Sequence, residues 1–173
     1  EIRSDFKDLG YNQKHWQTLF ESCVDPYIMH LRDINRLCNA LRFKLTGISS
    51  EIDFADMVAI SILEIHHPMI YEWVKNNKSI LTGENDPSTW RGQRSKEEWS
   101  ECYTKILGNL IRLERPESLE EDEAKHVISV LVDLFPYFGS KIGTTYEVYD
   151  NAQLARNNQI AHPDKFDRYF HLD

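Results

Sequence analysis

Apolar positions recur along this chain at helical spacing and almost nowhere in strict alternation. Trp16, Leu19, Phe20 and Cys23 define a short first helix over His15 to Cys23, which Pro26 is expected to close. Ile34, Leu37, Cys38, Leu41 and Leu45 then fall on one stripe of a helix from Asp33 to Leu45, with Arg32, Asn35, Arg36, Asn39 and Arg42 on its other faces. Gly47 ends it, and Ser50 with Asp53 three positions on reads as a capping box for the next helix, through Phe54, Ala55, Val58, Ile62 and Leu63 to about His66. Pro68 lacks a backbone donor, so it predicts a break before the pattern resumes at Met69, Ile70, Trp73 and Val74.

Thr82 to Arg94 carries turn formers without periodicity and is the natural boundary inside the chain. Beyond it, Ser95 and Glu98 form a second capping box ahead of Trp99, Cys102, Tyr103, Ile106, Leu107, Leu110 and Ile111. Pro116 stops that helix, Ser118 and Glu121 start another with an acidic first turn, and Ala124, Val127, Ile128, Leu131, Leu134 and Phe135 give it a buried face. Pro136 and Gly139 are expected to end it, Ser140 to Asn151 is looser, and short helices follow at Ala152 to Asn158 and Pro163 to Phe170. The reading is all-α: an irregular helical bundle, divisible into two packed sub-bundles at residues 1–83 and 95–173 joined by a linker at 84–94.

Composition narrows the function. With 41% apolar residues a core is affordable in 173 residues, so disorder of the whole is excluded. A net charge of −8 disfavours general nucleic-acid binding, which needs a basic surface to displace counterions from phosphates. Cys23, Cys38 and Cys102 are odd in number and never spaced CxxC, so they are expected to be reduced thiols packed as small apolar groups. No apolar run approaches the 18 or so residues of a membrane span. Together these predict a cytoplasmic protein. The chain opens at Glu1 in a charged, turn-like stretch, which suits a fragment and trimmed termini equally.

Motifs that carry chemistry are largely absent from the sequence. Gly139-Ser140-Lys141-Ile142-Gly143-Thr144-Thr145 lacks the lysine after the second glycine that a phosphate-binding P-loop requires. Glu64-Ile65-His66-His67 is not HExxH, and adjacent histidines diverge by about 100° on a helix. They are expected to be partly exposed residues before a proline break, and no metal ligands and no catalytic residues are assigned. Two strings stand out. Leu31 to Leu41 opens a helix with Arg32, Arg36 and Asn35 on its polar side, where a guanidinium fork suits a phosphate. Arg156-Asn157-Asn158-Gln159-Ile160-Ala161-His162 is similar to the RxxxxH signature of HEPN-domain ribonucleases, with one residue too many between Arg156 and His162. On a continuous helix that spacing turns the two apart by roughly 240°.

Three segments in order resemble the KAP family of P-loop NTPases. Met29-His30-Leu31-Arg32-Asp33-Ile34-Asn35-Arg36-Leu37-Cys38-Asn39 is similar to the family's T-P-R-D-I/V-K-R-L-L/I-N element. After a helix beginning at Asp56, His67-Pro68-Met69-Ile70-Tyr71-Glu72-Trp73-Val74-Lys75-Asn76-Asn77 follows its F-E-P-x-L/I-Y segment, and Gln159 to Phe170 resembles its R-I-x-S/H-P-x-x-F-D-R-Y-F element. Leu31, Asn35 and His66-His67 depart from the pattern. The resemblance implies a helical lid and C-terminal region lying after an NTPase core of bacterial type, without an active site of its own. Arg32, with Arg36 one turn on, would then be a sensor-like contact to nucleotide phosphates. ATP and Mg belong to the parent ATPase, the partner is its remaining core, and homo-oligomers are compatible with the reading. The alternatives are a HEPN-like RNase using Arg156 and His162, and a helical protein-interaction module presenting Trp90 and Trp99.

Overall fold

The computed structural model describes residues 12–45, 51–85, 94–116, 120–144 and 150–170. Among them every regular element is a helix and there is no strand. Helix α1 (Gln13–Leu19) starts on Asn12, whose side chain accepts the Lys14 and His15 N–H groups. It does not stop at Pro26. A π-turn over Phe20–Val24 carries it into α2 (Asp25–Tyr27), with the Asp25 N–H reaching five residues back to Phe20 O. The widened turn leaves proline, which has no N–H, at a position where none is needed.

Helix α3 (Leu31–Leu45) packs beside α4 (Phe54–His66), and α5 (Pro68–Asn76) and α6 (Lys78–Thr82) follow. Pro68 sits in the first turn of α5, giving the expected break. Asp53, not Ser50, caps α4: its carboxylate accepts the Ala55 and Asp56 N–H groups, while Ser50 lies outside the described residues. Gly83 ends α6 with φ of 81°, a left-handed cap that glycine adopts without steric cost. Most of the predicted linker, 86–93 with Trp90, also lies outside the described residues, as does Ser118.

The second half is led by α7 (Lys96–Glu114), which carries the Ser95–Glu98 capping box read from the sequence. Its closest neighbour is α8 (Glu120–Leu134). Pro136 again opens a helix, α9 (Pro136–Lys141), instead of only ending one, and Gly139 is buried within it. Helices α10 (Asn151–Arg156) and α11 (Pro163–Phe166) complete the bundle, with a 3₁₀ turn at Asp167–Tyr169.

α4 is the axis of the molecule. Every residue from Ala55 to Leu63 is buried, so the helix is surrounded on all sides, which an apolar composition around its whole circumference demands. Each fully buried Ile or Leu there contributes about 1.5–3 kcal/mol of transfer free energy. The buried side chains form one cluster running from Leu19 to Phe170. Ile34, expected inside with Leu37 and Leu41, is 41% exposed because it lies at the rim of the α3 stripe.

Candidate functional site

Arg32 and Arg36 both lie exposed on α3, one turn apart and so on the same side of the helix. The helix start is fixed by Asp33, whose buried carboxylate accepts the His30 N–H at 3.0 Å while His30 O accepts the Asp33 N–H at 2.9 Å. That reciprocal lock holds Arg32 in the first turn. Around it the surface is apolar as well as basic: Met29 is 75% exposed and Leu31 72%.

Arg156 and His162 are employed separately. Arg156 lies at the end of α10 and approaches Asp150 at 3.8 Å. His162 caps α11, its Nδ1 accepting the Asp164 N–H at 3.3 Å. The helix ends between them, at Asn157, and Asn158 takes φ of 54°, the left-handed conformation that asparagine tolerates.

A buried polar network that the sequence reading missed joins the two ends of the described fold. His15 Nε2 meets Asp56 Oδ1 at 2.6 Å, and Asp56 Oδ2 accepts the Ile160 N–H at 2.7 Å. The Tyr169 hydroxyl accepts the Asp53 N–H at 2.8 Å and donates to Asn158 O at 2.7 Å, leaving a longer contact of 3.4 Å to Asp56 Oδ2. Asp56 is wholly buried and Asp53 nearly so. Burial, and then the charge of Asp56, pushes the Asp53 carboxyl up to about 7. Burial alone would lower the His15 imidazole, but contact with Asp56 overrides it and the net direction is up.

Donor atoms of His15, Asp53 and Asp56 lie within 4.8 Å of one another, a spacing that a small cation can span. Much of their acceptor capacity is already engaged: both Asp56 oxygens by His15 and Ile160, and Asp53 Oδ1 by the Ala55 and Asp56 N–H groups. The set is a hydrogen-bonded staple. Its sequence signal was Asp56 itself, a carboxylate inside the otherwise apolar run Phe54 to Ile60.

A second polar cluster lies where α2, α4, α7 and α8 meet. Tyr27 is ringed by imidazoles, with centroids 5.2 Å from His66, 5.4 Å from His67 and 5.2 Å from His126. Its hydroxyl is 2.9 Å from His67 Nε2. His67, expected to be partly exposed, is completely buried, because Pro68 starts α5 and turns the preceding residue inward as its cap. Glu114 Oε2 faces His67 Nδ1 at 3.4 Å, and Glu123 Oε1 lies 3.6 Å from Nε2. Glu114 uses its other oxygen to accept the Met69 N–H. Arg115 holds Glu123 at 3.1 Å and donates to His66 O at 2.9 Å. Burial, with help from Arg115, lowers the His67 imidazole to about 4, so it is neutral at pH 7.

Among the described residues no helix is long and apolar enough to cross a membrane. No protein-family model matches the chain, and neither curated proteins nor solved structures yield a match.

Proposed function

We propose that this chain is the non-catalytic helical lid and C-terminal region of a KAP-type P-loop NTPase, reading the state of bound nucleotide and relaying it through the bundle. The observation that carries the reading is the outer face of α3. It offers Arg32 and Arg36 to a phosphate from a helix start held by the His30–Asp33 hydrogen bonds, beside the exposed side chains of Met29 and Leu31 that a neighbouring domain would cover. A guanidinium there gains or loses an anionic partner as the terminal phosphate is bound or released.

The last of the segments that carry the family resemblance meets the helix before the second and the residue just after it. Asp56 contacts Tyr169, and Lys78 Nζ lies 2.8 Å from Asp167 Oδ2. Motion at α3 therefore has a packed route, through α4, to the element around Asp167–Tyr169.

The test uses the protein made from its complete gene. Arg32→Ala is expected to lower ATP turnover at least tenfold with helical circular dichroism unchanged, and Arg36→Ala to do so less. Absence of nucleotide binding, in a gene without GxxxxGK followed by Ser or Thr, overturns the proposal.

A further inference from the structure

Helix α3 is bounded unlike α4, which is surrounded on all sides. Its main packing partner is α4, and its outer side carries Arg32, Asn35, Arg36, Asn39, Arg42 and Phe43, all exposed. At about 100° per residue these fall within roughly 120° of arc, a single stripe along the helix. Leu31 borders the stripe and Met29 precedes it. The one acid in α3, Asp33, is buried in the lock at the helix start, so the stripe carries arginine and no carboxylate.

Phe43 is the decisive residue. Its ring is 77% exposed, about 18 Å along the helix from Leu31. The inward side of α3 is filled without it, by Leu37, Leu41 and Leu45. An aromatic ring at one end of an arginine stripe, with Met29 and Leu31 at the other, has the composition of a contact between proteins. There aromatic, Met and Arg side chains are in excess, and Lys, Glu and Asp are depleted.

We propose that the whole outer face of α3, from Met29 to Phe43, is the contact surface for a preceding domain of the same protein, which meets it with an acidic, partly apolar groove. The identity of the partner rests on the NTPase reading, and the contact now extends beyond Arg32 and Arg36 to Asn39, Arg42 and Phe43.

Charge selects the chemistry of the groove. The chain carries a net charge of −8, yet this face bears three arginines, so its complement is a surface of carboxylates. A polyanion such as RNA or an anionic membrane is repelled at long range by the protein's overall charge, whereas a docked domain is held at short range. Each guanidinium accepts a carboxylate as a two-pronged fork, and Asn35 and Asn39 add amide donors and acceptors on the same side. Phe43 fills an apolar pocket and anchors the far end.

Hydroxyl-radical footprinting of the protein made from its complete gene, read by mass spectrometry, tests the contact. Met29, Leu31 and Phe43 are expected to oxidise about fivefold or more slowly than in the denatured protein, which side chains as exposed as they are here would not do. The sign of the partner's charge is read at Asn39, exposed in the middle of the stripe. Asn39→Glu should raise Phe43 oxidation about threefold or more with circular dichroism unchanged, and Asn39→Lys should leave Phe43 protected. Phe43 oxidised at its denatured rate, protection indifferent to the sign of the charge introduced at Asn39, or protection lost on dilution, which would put a second copy on the face, overturns the proposal. A bare α3 in a protein that hydrolyses ATP removes this contact and leaves the nucleotide reading, whereas a covered α3 in a protein that binds no nucleotide removes the NTPase reading and leaves the contact.

Discussion

Asp56 Oδ2 accepts the backbone N–H of Ile160 at 2.7 Å, so the first turn of α4 is hydrogen-bonded to the turn that follows α10. The same carboxylate holds His15 at 2.6 Å through its other oxygen. Replacing it by alanine orphans a buried N–H and an imidazole at once. Asp56→Ala is therefore expected to cost about 3 kcal/mol or more in denaturant unfolding, and Asp56→Asn, which can keep an oxygen for Ile160, distinctly less. Equal losses in the two variants would contradict this account of the staple.

Asp53 makes stability depend on pH in the direction opposite to an ordinary surface carboxylate. Its carboxyl is raised from 3.8 to about 7 by burial and then by Asp56. Between those values the folded protein keeps a proton that the unfolded chain has released, so stability falls as pH rises from about 4 to about 7. His15, raised above its ordinary 6.5, works in the same sense, its contribution full below 6.5 and lost at higher pH. Asp53→Asn retains the helix cap and removes the carboxyl titration. Chemical denaturation at pH 4 and pH 7.5 should show the variant gaining on the parent by about 1 kcal/mol or more over that interval.

Gly83 answers two demands together. Its φ of 81° disfavours any side chain, and a Cβ built there would lie 2.7 Å from the Tyr137 ring. Gly83→Ala is expected to lower stability by about 2 kcal/mol, more than the positive φ alone would cost. Thermal unfolding of Gly83→Ala in the Tyr137→Ala background, where the clash is gone, should recover part of the difference.

The thiols should separate cleanly. Cys23 is fully buried, and burial, with a smaller push from Asp133, raises its thiol to about 12, whereas Cys38 and Cys102 are partly exposed. Iodoacetamide labelling of the native protein, mapped by mass spectrometry, is expected to mark Cys38 and Cys102 and to reach Cys23 only in denaturant.

The Lys78–Asp167 pair is a contrasting case. Although it bridges α6 and the last 3₁₀ turn at 2.8 Å, Asp167 is 55% exposed. Asp167→Asn should cost less than about 1 kcal/mol, and less again at high salt.

Where side chains repeat with a helical period, the chain announced its own structure. The Ser95–Glu98 box and the stripe that follows it are local signals, and α7 lies where they put it. Prolines were half legible: Pro68 and Pro136 do interrupt helices, yet each also begins one, because a first-turn position asks for no N–H. Pro26 was misjudged for want of any signal for the π-turn before it. The candidate sites divide the same way. Arg32 and Arg36 could be picked out because their exposure follows from helical phase. His67, Glu114 and His126 could not, since their meeting depends on how α4, α7 and α8 cross, and that is decided by packing between distant segments.

Nine successive buried residues in α4 have a consequence for synthesis as well as for stability. During synthesis this helix emerges after α1, the π-turn and α3 but before α5 and α8, so at first it has only part of its cover. α5 follows at once, but the hydrogen-bond partners of Asp56 and Asp53, Ile160 and Tyr169, lie 104 and 116 residues further on. Until then part of its apolar circumference stands open to its surroundings, a surface of the kind that holding chaperones bind.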